Sequence, residues 1–413
     1  MAAIVTHTGT GPTGYEVTFR YRNAGAKSVA IKGEWFFARV SELSPRVGTP
    51  GQPVVESQGI LPRDWRPGDI PMAHPNGTGP NWPILPMTRE GDDWVFTTPL
   101  PSGVFTYGFI VDGAEAQIAD PDNPPWNETR GTFRDRRAPN SQVFVPSDRR
   151  FRTIDYAWQG PAPEAGELVH LTYPSPGHVV PADENHAVVY TPPGYDPQRA
   201  RPYPTLYLSH GGGENELGWT TQGAAHHILD NLIAFGEIEP LLVVMPNAQG
   251  RPDSPFGESY DQDVIRNLIP FIEARYHVEK SAHGRAFSGL SMGGMLTNSF
   301  MVKYPETFDY YGMMSAGLPA AHETLTEGQV AALRGKGIFI GSGWQDTGHA
   351  TGYRDISTGT AREISTLVQA GLPITINFVH GGHDWHVWRI LLRDFLTRVA
   401  FQPPAHATWK QED

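Results

Sequence analysis

Hydrophobic and polar positions alternate in several short segments of the first 150 residues. The clearest segments are rich in β-branched and aromatic residues and are bounded by Gly, Pro and Asp: YEVTFRYRN (15–23), SVAIKGEW (28–35), DWVFTTPL (93–100) and VFTYGFIVDG (104–113). This alternation predicts the strands of an all-β sandwich. The stretch from about 40 to 90 is rich in Pro and Gly and shows little periodicity, so we expect an insertion there.

A linker containing Pro and Gly, WQGPAPEAGE (158–167), leads to a part of the chain with a different pattern. Apolar runs typical of buried strands occur at 205–213, 240–247, 337–343 and 374–382, and helical spacing occurs at 223–238, 261–278 (with Pro270 inside it) and 361–371. Such alternation predicts a mostly parallel sheet with helices on both faces. We therefore predict a β-sandwich at 1–150, a linker at 151–165 and an α/β domain at 166–404.

Composition and charge narrow the classes of function. The 413 residues are 39% apolar, and a net charge of −12 without any Lys- or Arg-rich run argues against nucleic acid as a partner. The chain has no cysteine, which excludes disulfides and thiolate metal sites, and no apolar stretch is long enough to span a membrane. The N-terminus does not resemble a signal peptide, so we expect a cytoplasmic protein if Met1 is native and a secreted one if a signal was removed. The oligomeric state is not predicted.

The segment Gly289–Gly293 (GLSMG) matches the pattern G-x-S-x-G and lies between a short apolar run and a predicted helix. A serine in this context sits on a tight strand-to-helix turn, where the flanking glycines let the backbone crowd together and the hydroxyl is exposed. The N-terminus of the helix favours the negative charge of a tetrahedral intermediate. The pattern therefore predicts that Ser291 is a nucleophile rather than part of a plain glycine-rich bend.

A serine nucleophile needs a base, and in this arrangement the chain order is Ser, then Asp or Glu, then His. His383 follows a late predicted strand and a glycine pair, so we predict it as the base. Asp346 follows the preceding strand and is predicted to fix the tautomer of that histidine. The alternatives are His380 and His386 for the base, and Asp355 and Asp384 for the acid.

An oxyanion hole requires backbone N–H donors. We predict one donor at Met292, directly after the nucleophile, and others at Gly212 and Gly213 in the early loop HGGG (210–213). The loop lacks both G-x-G-x-x-G and the Lys-Ser/Thr pair of a P-loop, so phosphate binding is a poor alternative.

Five segments resemble the feruloyl and acetylxylan esterases of carbohydrate esterase family 1, which are related to esterases of trilactone siderophores such as enterobactin. They are YTPPGYD (190–196), LYLSHGGGENELGW (206–219), ILDNLIAFGEIEPLLVVMPN (228–247), FSGLSMGGM (287–295) and GGHDWHVWR (381–389). The resemblance covers roughly residues 165–400. It implies an α/β-hydrolase fold and serine esterase activity, with the nucleophile at Ser291, the base at His383 and the acid at Asp346.

The first domain resembles the immunoglobulin-like carbohydrate-binding modules that precede glycogen-branching enzymes and many such esterases. TFRYRNAGAKSVAIKGEW (18–35), PLPSGVFTYGFIVDG (99–113) and ADPDNP (119–124) carry this likeness. The expected insertion at about 40–90 is a segment that such modules usually lack. Our hypothesis is that the insertion, with Trp65 and Trp82, packs against the esterase domain and borders the active site.

Aromatic residues near the predicted site would suit a hydroxycinnamoyl or sugar ring, and ordinary core packing is the alternative for each. We predict substrate contacts for Trp219, Trp344 and Trp385. His226, His227 and His349 are not spaced as metal ligands, and neither a metal nor a cofactor is predicted.

The sequence thus predicts a serine esterase acting on feruloyl, other aryl or acetyl esters of plant-cell-wall sugars, with a small or glycan-linked ester as its partner. Acyl transfer to a sugar alcohol and hydrolysis of a siderophore trilactone are alternative reactions. The latter ranks lower because only Arg285, Arg354 and Arg389 lie near the predicted triad to hold a tri-anionic complex. A non-catalytic glycan-binding protein with a hydrolase fold is the alternative outside catalysis.

Overall fold

The computed structural model describes residues 3–39, 59–71, 82–123, 140–253, 258–317, 324–346 and 359–402. Its first ten strands form the part that we call the β region. They are β1 (Ile4–His7), β2 (Tyr15–Arg22), β3 (Val29–Gly33), β4 (Phe37–Arg39), β5 (Asp69–Pro71), β6 (Ile84–Pro86), β7 (Thr88–Glu90), β8 (Asp93–Pro99), β9 (Gly103–Val111) and β10 (Ser141–Val145).

Two antiparallel four-stranded sheets, with the orders β1-β2-β8-β7 and β10-β9-β3-β6, make up most of the β region, and β4 pairs with β5. Alternate residues of these strands face a shared core that includes Val17, Phe19, Ile31 and Tyr107. The predicted all-β pattern is therefore present.

The stretch expected to be an insertion contributes strands to both main sheets. β6 pairs with β3, and β7 pairs with β8. Each of these strands is three residues long, which is too short to show an alternating pattern in the sequence. Residues 40–58 and 72–81 of the same stretch lie outside the described residues.

The rest of the described chain forms the α/β region. Its strands are β11 (Glu167–Val179), β12 (Ala182–Thr191), β13 (Thr205–Ser209), β14 (Leu242–Pro246), β15 (Arg285–Leu290), β16 (Tyr310–Met314), β17 (Gly337–Gly343) and β18 (Thr375–Val379). Its helices are α1 (Gly218–Thr221), α2 (Ala225–Ala234), α3 (Glu258–Asp263), α4 (Ile269–Arg275), α5 (Met292–Lys303), α6 (Glu327–Leu333), α7 (Gly359–Gln369) and α8 (Trp385–Arg398). A π-helical turn, Val264–Leu268, lies between α3 and α4, and Pro270 stands in the first turn of α4.

One eight-stranded sheet, in the order β11-β12-β14-β13-β15-β16-β17-β18, organises this region. β11 and β12 are antiparallel to their neighbours, and β13 to β18 run parallel. Helices α2 and α8 contribute to the core on one face, and α4, α5 and α7 to the core on the other. Covering on both faces explains why β13, β14 and β16 are apolar and wholly buried. The fold is that of an α/β-hydrolase preceded by an all-β region.

The segment expected to be a linker packs against both regions. Trp158 belongs to the core beside α2 and α8, and the Gln159 side chain accepts a hydrogen bond from the Val104 N–H at 3.3 Å. The Asn231 amide of α2 donates to the Gly160 carbonyl at 2.7 Å. These contacts hold the β region against the helix layer of the α/β region.

Candidate active site

Ser291 occupies the turn between β15 and α5, at the carboxyl end of the parallel strands. Its backbone has φ 51° and ψ −116°, a left-handed conformation that is strained for a residue with a side chain. The turn requires glycine two residues before and two residues after the serine. A Cβ on Gly289 would lie 2.6 Å from the Gly293 carbonyl carbon, and a Cβ on Gly293 would lie 2.6 Å from the Ser209 carbonyl oxygen. Close backbone packing therefore holds the serine in this conformation.

The structure brings Ser291, His383 and Asp346 together at the ends of β15, β18 and β17. His383 Nε2 lies 3.0 Å from Ser291 Oγ, and His383 Nδ1 lies 2.8 Å from Asp346 Oδ2. Asp346 is fully buried, whereas the His383 side chain keeps 22% of its exposure. Because a carboxylate only accepts, Nδ1 carries the proton, and Nε2 is free to accept the serine proton.

Backbone hydrogen bonds join the two loops that carry the acid and the base. The Gln345 N–H donates to the Gly381 carbonyl at 2.9 Å, and the Gly381 N–H returns a hydrogen bond to the Gln345 side chain at 2.8 Å. The Trp388 ring meets the His383 imidazole edge-on at 4.9 Å, and its Nε1 donates to Ser315 Oγ at 3.0 Å. The Gln345 side chain, to which sequence reasoning had not assigned a role, and the Trp388 ring help to fix the orientation of the imidazole.

The alternative acid and bases occupy other positions. Asp384 caps α8, accepting from the Val387 N–H at 3.1 Å and from the Gly382 N–H at 3.0 Å. His386 is buried, and burial lowers the pKa of its imidazole to about 3. His380 is exposed. Asp355 lies outside the described residues.

Met292 and the glycine loop that carries the other predicted oxyanion donors lie next to the serine. Met292 is the first residue of α5, where backbone N–H groups have no partner within the helix. In the glycine loop, the Ala248 N–H donates to His210 Nε2 at 2.9 Å, so Nδ1 donates to the Gly211 carbonyl at 2.8 Å. In a trans peptide the next N–H points away from that carbonyl, so the Gly212 N–H faces away from His210. A Cβ on Gly211 would lie 3.6 Å from Ser291 Cβ, which places the loop beside the nucleophile.

Glu214 braces this loop, a role that sequence reasoning missed. Its buried carboxylate accepts from the Gly211 N–H at 3.2 Å and from the Gln222 side chain at 3.3 Å. An acidic residue directly after three glycines was the available signal, because a buried carboxylate must satisfy nearby N–H groups. Gly213, the other predicted donor, is exposed with φ 78°.

Two of the three predicted substrate-binding tryptophans are core residues, which corrects the prediction. Trp219 is 1% exposed and Trp385 is 3% exposed, and their rings pack edge-to-face at 5.2 Å. The Trp219 Nε1 donates to the Ser209 carbonyl at 2.9 Å. Burial on the inner face of the helix layer removes both rings from contact with substrate. Trp344 is 37% exposed.

Two of the arginines considered for a tri-anionic substrate are engaged elsewhere. Arg285 begins β15, at the opposite end of the strand from Ser291, and pairs with Glu273. Arg389 is fully buried, and its guanidinium donates to backbone carbonyls. Arg354 lies outside the described residues.

The part of the chain that the structure describes contains neither a cluster of metal-ligating side chains nor a helix that could span a membrane. No group of three or more His, Asp or Glu side chains there is arranged to hold a metal ion. Burial lowers the pKa of His226 to about 3 and that of His227 to about 4, and His349 lies outside the described residues. None of the described helices is long and apolar enough to cross a bilayer.

Comparison with known proteins gives matches at two levels. A family model described as putative esterase matches residues 180–399, more than half of the chain. An endo-1,4-beta-xylanase/feruloyl esterase of Xylanibacter ruminicola is 36% identical over 203 residues, 44% of this chain and 27% of that protein. Endo-1,4-beta-xylanase Y of Acetivibrio thermocellus is 32% identical over 188 residues, 43% of this chain and 17% of that protein. The aligned parts are thus a minor share of these relatives' length.

Two solved structures share the fold. A ferulic acid esterase from Anaeromyces mucronatus is 18% identical and covers 60% of this chain and 96% of its own, with a TM-score of 0.51. An enterobactin esterase from Shigella flexneri is 17% identical and covers 93% of this chain and 92% of its own, with a TM-score of 0.53. The second match extends over the β region as well as the α/β region.

Proposed function

Since this chain belongs to the putative esterase family, we propose that it hydrolyses carboxylic esters through an acyl-enzyme on Ser291. The observation that carries the proposal is the continuous chain of hydrogen bonds from Asp346 through His383 to the serine hydroxyl. A serine activated by an oriented imidazole, beside backbone donors for an oxyanion, is the machinery of acyl transfer.

In the first half-reaction, Ser291 Oγ attacks the ester carbonyl carbon while His383 Nε2 takes the hydroxyl proton. The negative charge on the carbonyl oxygen is held by the N–H groups of Met292 and the Gly212–Gly213 loop. When the C–O bond to the alcohol breaks, the imidazolium gives its proton to the leaving oxygen. Asp346 stabilises the imidazolium during this step without taking the proton itself.

In the second half-reaction, water attacks the acyl-enzyme carbonyl and His383 takes one of its protons. The second tetrahedral intermediate collapses, the proton returns to Ser291 Oγ, and the carboxylic acid leaves. A sugar hydroxyl in place of water would give acyl transfer. The 22% exposure of the His383 side chain allows water to approach the site in the free enzyme.

For the substrate, we propose feruloyl, other aryl or acetyl esters of plant-cell-wall sugars. The support is the relative described as an endo-1,4-beta-xylanase/feruloyl esterase, which is 36% identical over 203 residues. A siderophore trilactone is less favoured, because Arg285 is paired at the far end of its strand and Arg389 is buried.

The test combines covalent labelling with a substrate panel. A fluorophosphonate probe is expected to label the wild-type chain and a Ser365→Ala control, whose serine lies in α7, but not Ser291→Ala. Hydrolysis is then measured on methyl ferulate, acetylated xylan, a short-chain nitrophenyl ester and a trilactone. Ser291→Ala should lose nearly all turnover while its circular dichroism spectrum is unchanged.

Retention of more than a few per cent of turnover by Ser291→Ala would contradict the proposed nucleophile. Absence of labelling and of turnover in the wild-type chain would favour the non-catalytic glycan-binding alternative. Preference for the trilactone over the other esters would replace the proposed substrate class while leaving the mechanism intact.

A further inference from the structure

A cavity of about 420 Å³ lies between the β region and the α/β region, a size within the range of small-ligand sites. One wall comes from Trp65 and the segment around β5, and the connecting segment contributes Tyr156. The opposite wall comes from Trp344, Phe378 and His386. The cavity is thus built where the two regions meet, and Trp65 borders it from the side of the β region. Trp82, the other tryptophan that we expected to border the active site, is buried just before β6.

Hydrogen bonds between the two regions keep the walls in place. Arg389 of α8 donates from Nη1 to the Val104 carbonyl of β9 at 3.1 Å and from Nε to the Gln222 carbonyl at 3.1 Å. The Gln142 side chain of β10 donates to the same Gln222 carbonyl at 2.9 Å. Because these groups are buried, separating the regions would leave several polar atoms unpaired. The cavity is therefore preformed.

A buried imidazole borders the cavity. His386 is 8% exposed, its ring meets Tyr156 edge-on at 5.3 Å, and within the described residues no hydrogen bond reaches its nitrogens. Burial lowers the pKa of His386 to about 3, so the ring is neutral and offers one donor and one acceptor. Burial also raises the pKa of the Tyr156 phenol, which keeps its hydroxyl neutral.

The cavity also has an aromatic surface, which Trp344 and Phe378 form. Trp344 keeps 37% of its exposure, and its ring packs against Phe378 with the centroids 4.9 Å apart. One residue lies between Trp344 and Asp346, and two lie between His380, also on the wall, and His383. At about 3.8 Å between consecutive Cα atoms, these Cα pairs are no more than roughly 8 and 11 Å apart. A ligand in the cavity would therefore lie near the triad.

We propose that this cavity binds a neutral sugar ring of the ester's alcohol part, with one face of the ring against Trp344 and its hydroxyls directed to His386 and Tyr156. A pyranose or furanose has both an apolar face and several hydroxyls that donate and accept, which matches an aromatic surface beside neutral polar groups. Two charged side chains are also on the wall: Asp69, which accepts from the Arg66 N–H at 2.8 Å, and Arg152, which is exposed. This inference rests on the proposed function only for the link between the sugar and the scissile ester.

Binding is tested first, without turnover. In a Ser291→Ala background, xylotriose is titrated into the full-length chain by calorimetry, alongside the double variant with Trp344→Ala. We expect Trp344→Ala to weaken xylotriose binding about tenfold, the size of a lost aromatic contact. Trp344→Phe should retain most of the affinity, and Phe235→Ala, which removes an aromatic ring of 57% exposure outside the cavity, serves as the control.

The second measurement uses the active enzyme. The ratio of kcat/KM for feruloylated xylotriose to kcat/KM for methyl ferulate should fall about tenfold in Trp344→Ala and stay constant in Phe235→Ala. An unchanged ratio, or equal xylotriose affinity with and without Trp344, would overturn the inference. Displacement of xylotriose by free ferulate would also overturn it, because the cavity would then be the aryl site.

The two proposals can fail separately. Xylotriose binding that depends on Trp344, in a chain that hydrolyses no ester, would leave the sugar site standing and remove the proposed function. Ester hydrolysis by a chain that binds no xylotriose would do the reverse.

Discussion

Replacing Arg389 by methionine tests whether the β region is an integral part of the enzyme. The side chain is fully buried and connects α8 to the Val104 and Gln222 carbonyls. Burial lowers the pKa of its guanidinium, and the nearby carboxylates of Glu34 and Asp384 act against that shift by their charge. Methionine keeps most of the volume and removes the charge and all of the donors.

The expected cost follows from these contacts. A hydrogen bond from a charged donor contributes about 1.5–3 kcal/mol, and two carbonyls lose theirs, although Gln222 keeps the bond from Gln142. Breaking a buried charged contact by removing one partner costs about 3–5 kcal/mol. We therefore expect Arg389→Met to lower the free energy of unfolding by about 3–5 kcal/mol. Arg393→Met on the same helix removes a half-exposed pair with Glu237, and should cost only about 1 kcal/mol.

Urea unfolding followed by tryptophan fluorescence measures the difference, and kcat on a nitrophenyl ester is recorded below the transition. Because α8 begins two residues after His383, loosening of its contacts should also lower kcat in Arg389→Met relative to Arg393→Met. Equal losses of stability in the two variants, or a loss below about 1 kcal/mol for Arg389→Met, would refute the reasoning. The β region would then be a separable module rather than a support for the catalytic helix.

Three other substitutions test the site and its surroundings. Asp346→Asn should lower kcat by roughly 10⁴ with little change in stability, because an amide in that position no longer fixes the imidazole tautomer. Steady-state kinetics measures this change, and a loss of kcat below tenfold would argue against Asp346 as the acid. Gly293→Ala would place a Cβ 2.6 Å from the Ser209 carbonyl oxygen and should lower kcat by about 10²–10³ by displacing the glycine loop. Gly328→Ala, whose Cβ would lie 4.0 Å from Thr326 Oγ1 in ordinary van der Waals contact, should have no effect on kcat. Burial raises the pKa of Glu363 to about 8, so the unfolded chain loses this proton before the folded chain does, and the contribution of this group to stability falls as the pH rises from about 4.5 to about 8. The free energy of unfolding of Glu363→Gln, measured in unfolding titrations, should therefore rise by roughly 3–5 kcal/mol relative to that of the wild-type chain across that interval. A constant difference between the two would show that Glu363 ionises normally.

The sequence was sufficient to predict which side chains of the triad would meet. Ser291, Asp346 and His383 each follow a strand of one parallel sheet, and the carboxyl ends of such strands share an edge. Their spacing along the chain therefore translated directly into proximity. The glycine loop before Glu214 was predictable for the same reason, since it follows β13.

Other features depend on the direction in which side chains point, and a single sequence does not show this. Trp219 and Trp385 are close to the site along the chain, yet their rings turn into the helix layer. Arg389 gave no sign that its partners would be carbonyls of β9 and of the segment before α2. The three-residue strands β6 and β7 were missed because their pairing, not their composition, makes them strands.

The backbone of Ser291 has a further consequence. A residue with φ 51° pays a conformational penalty of about 1–3 kcal/mol that glycine would not, so the fold would relax if the hydroxyl-bearing residue were exchanged for glycine. Thermal stability thus favours glycine at this position, whereas the proposed reaction requires serine. Selecting variants for heat resistance alone would tend to discard the hydroxyl of the proposed nucleophile, and any stabilisation of this protein should begin away from that turn.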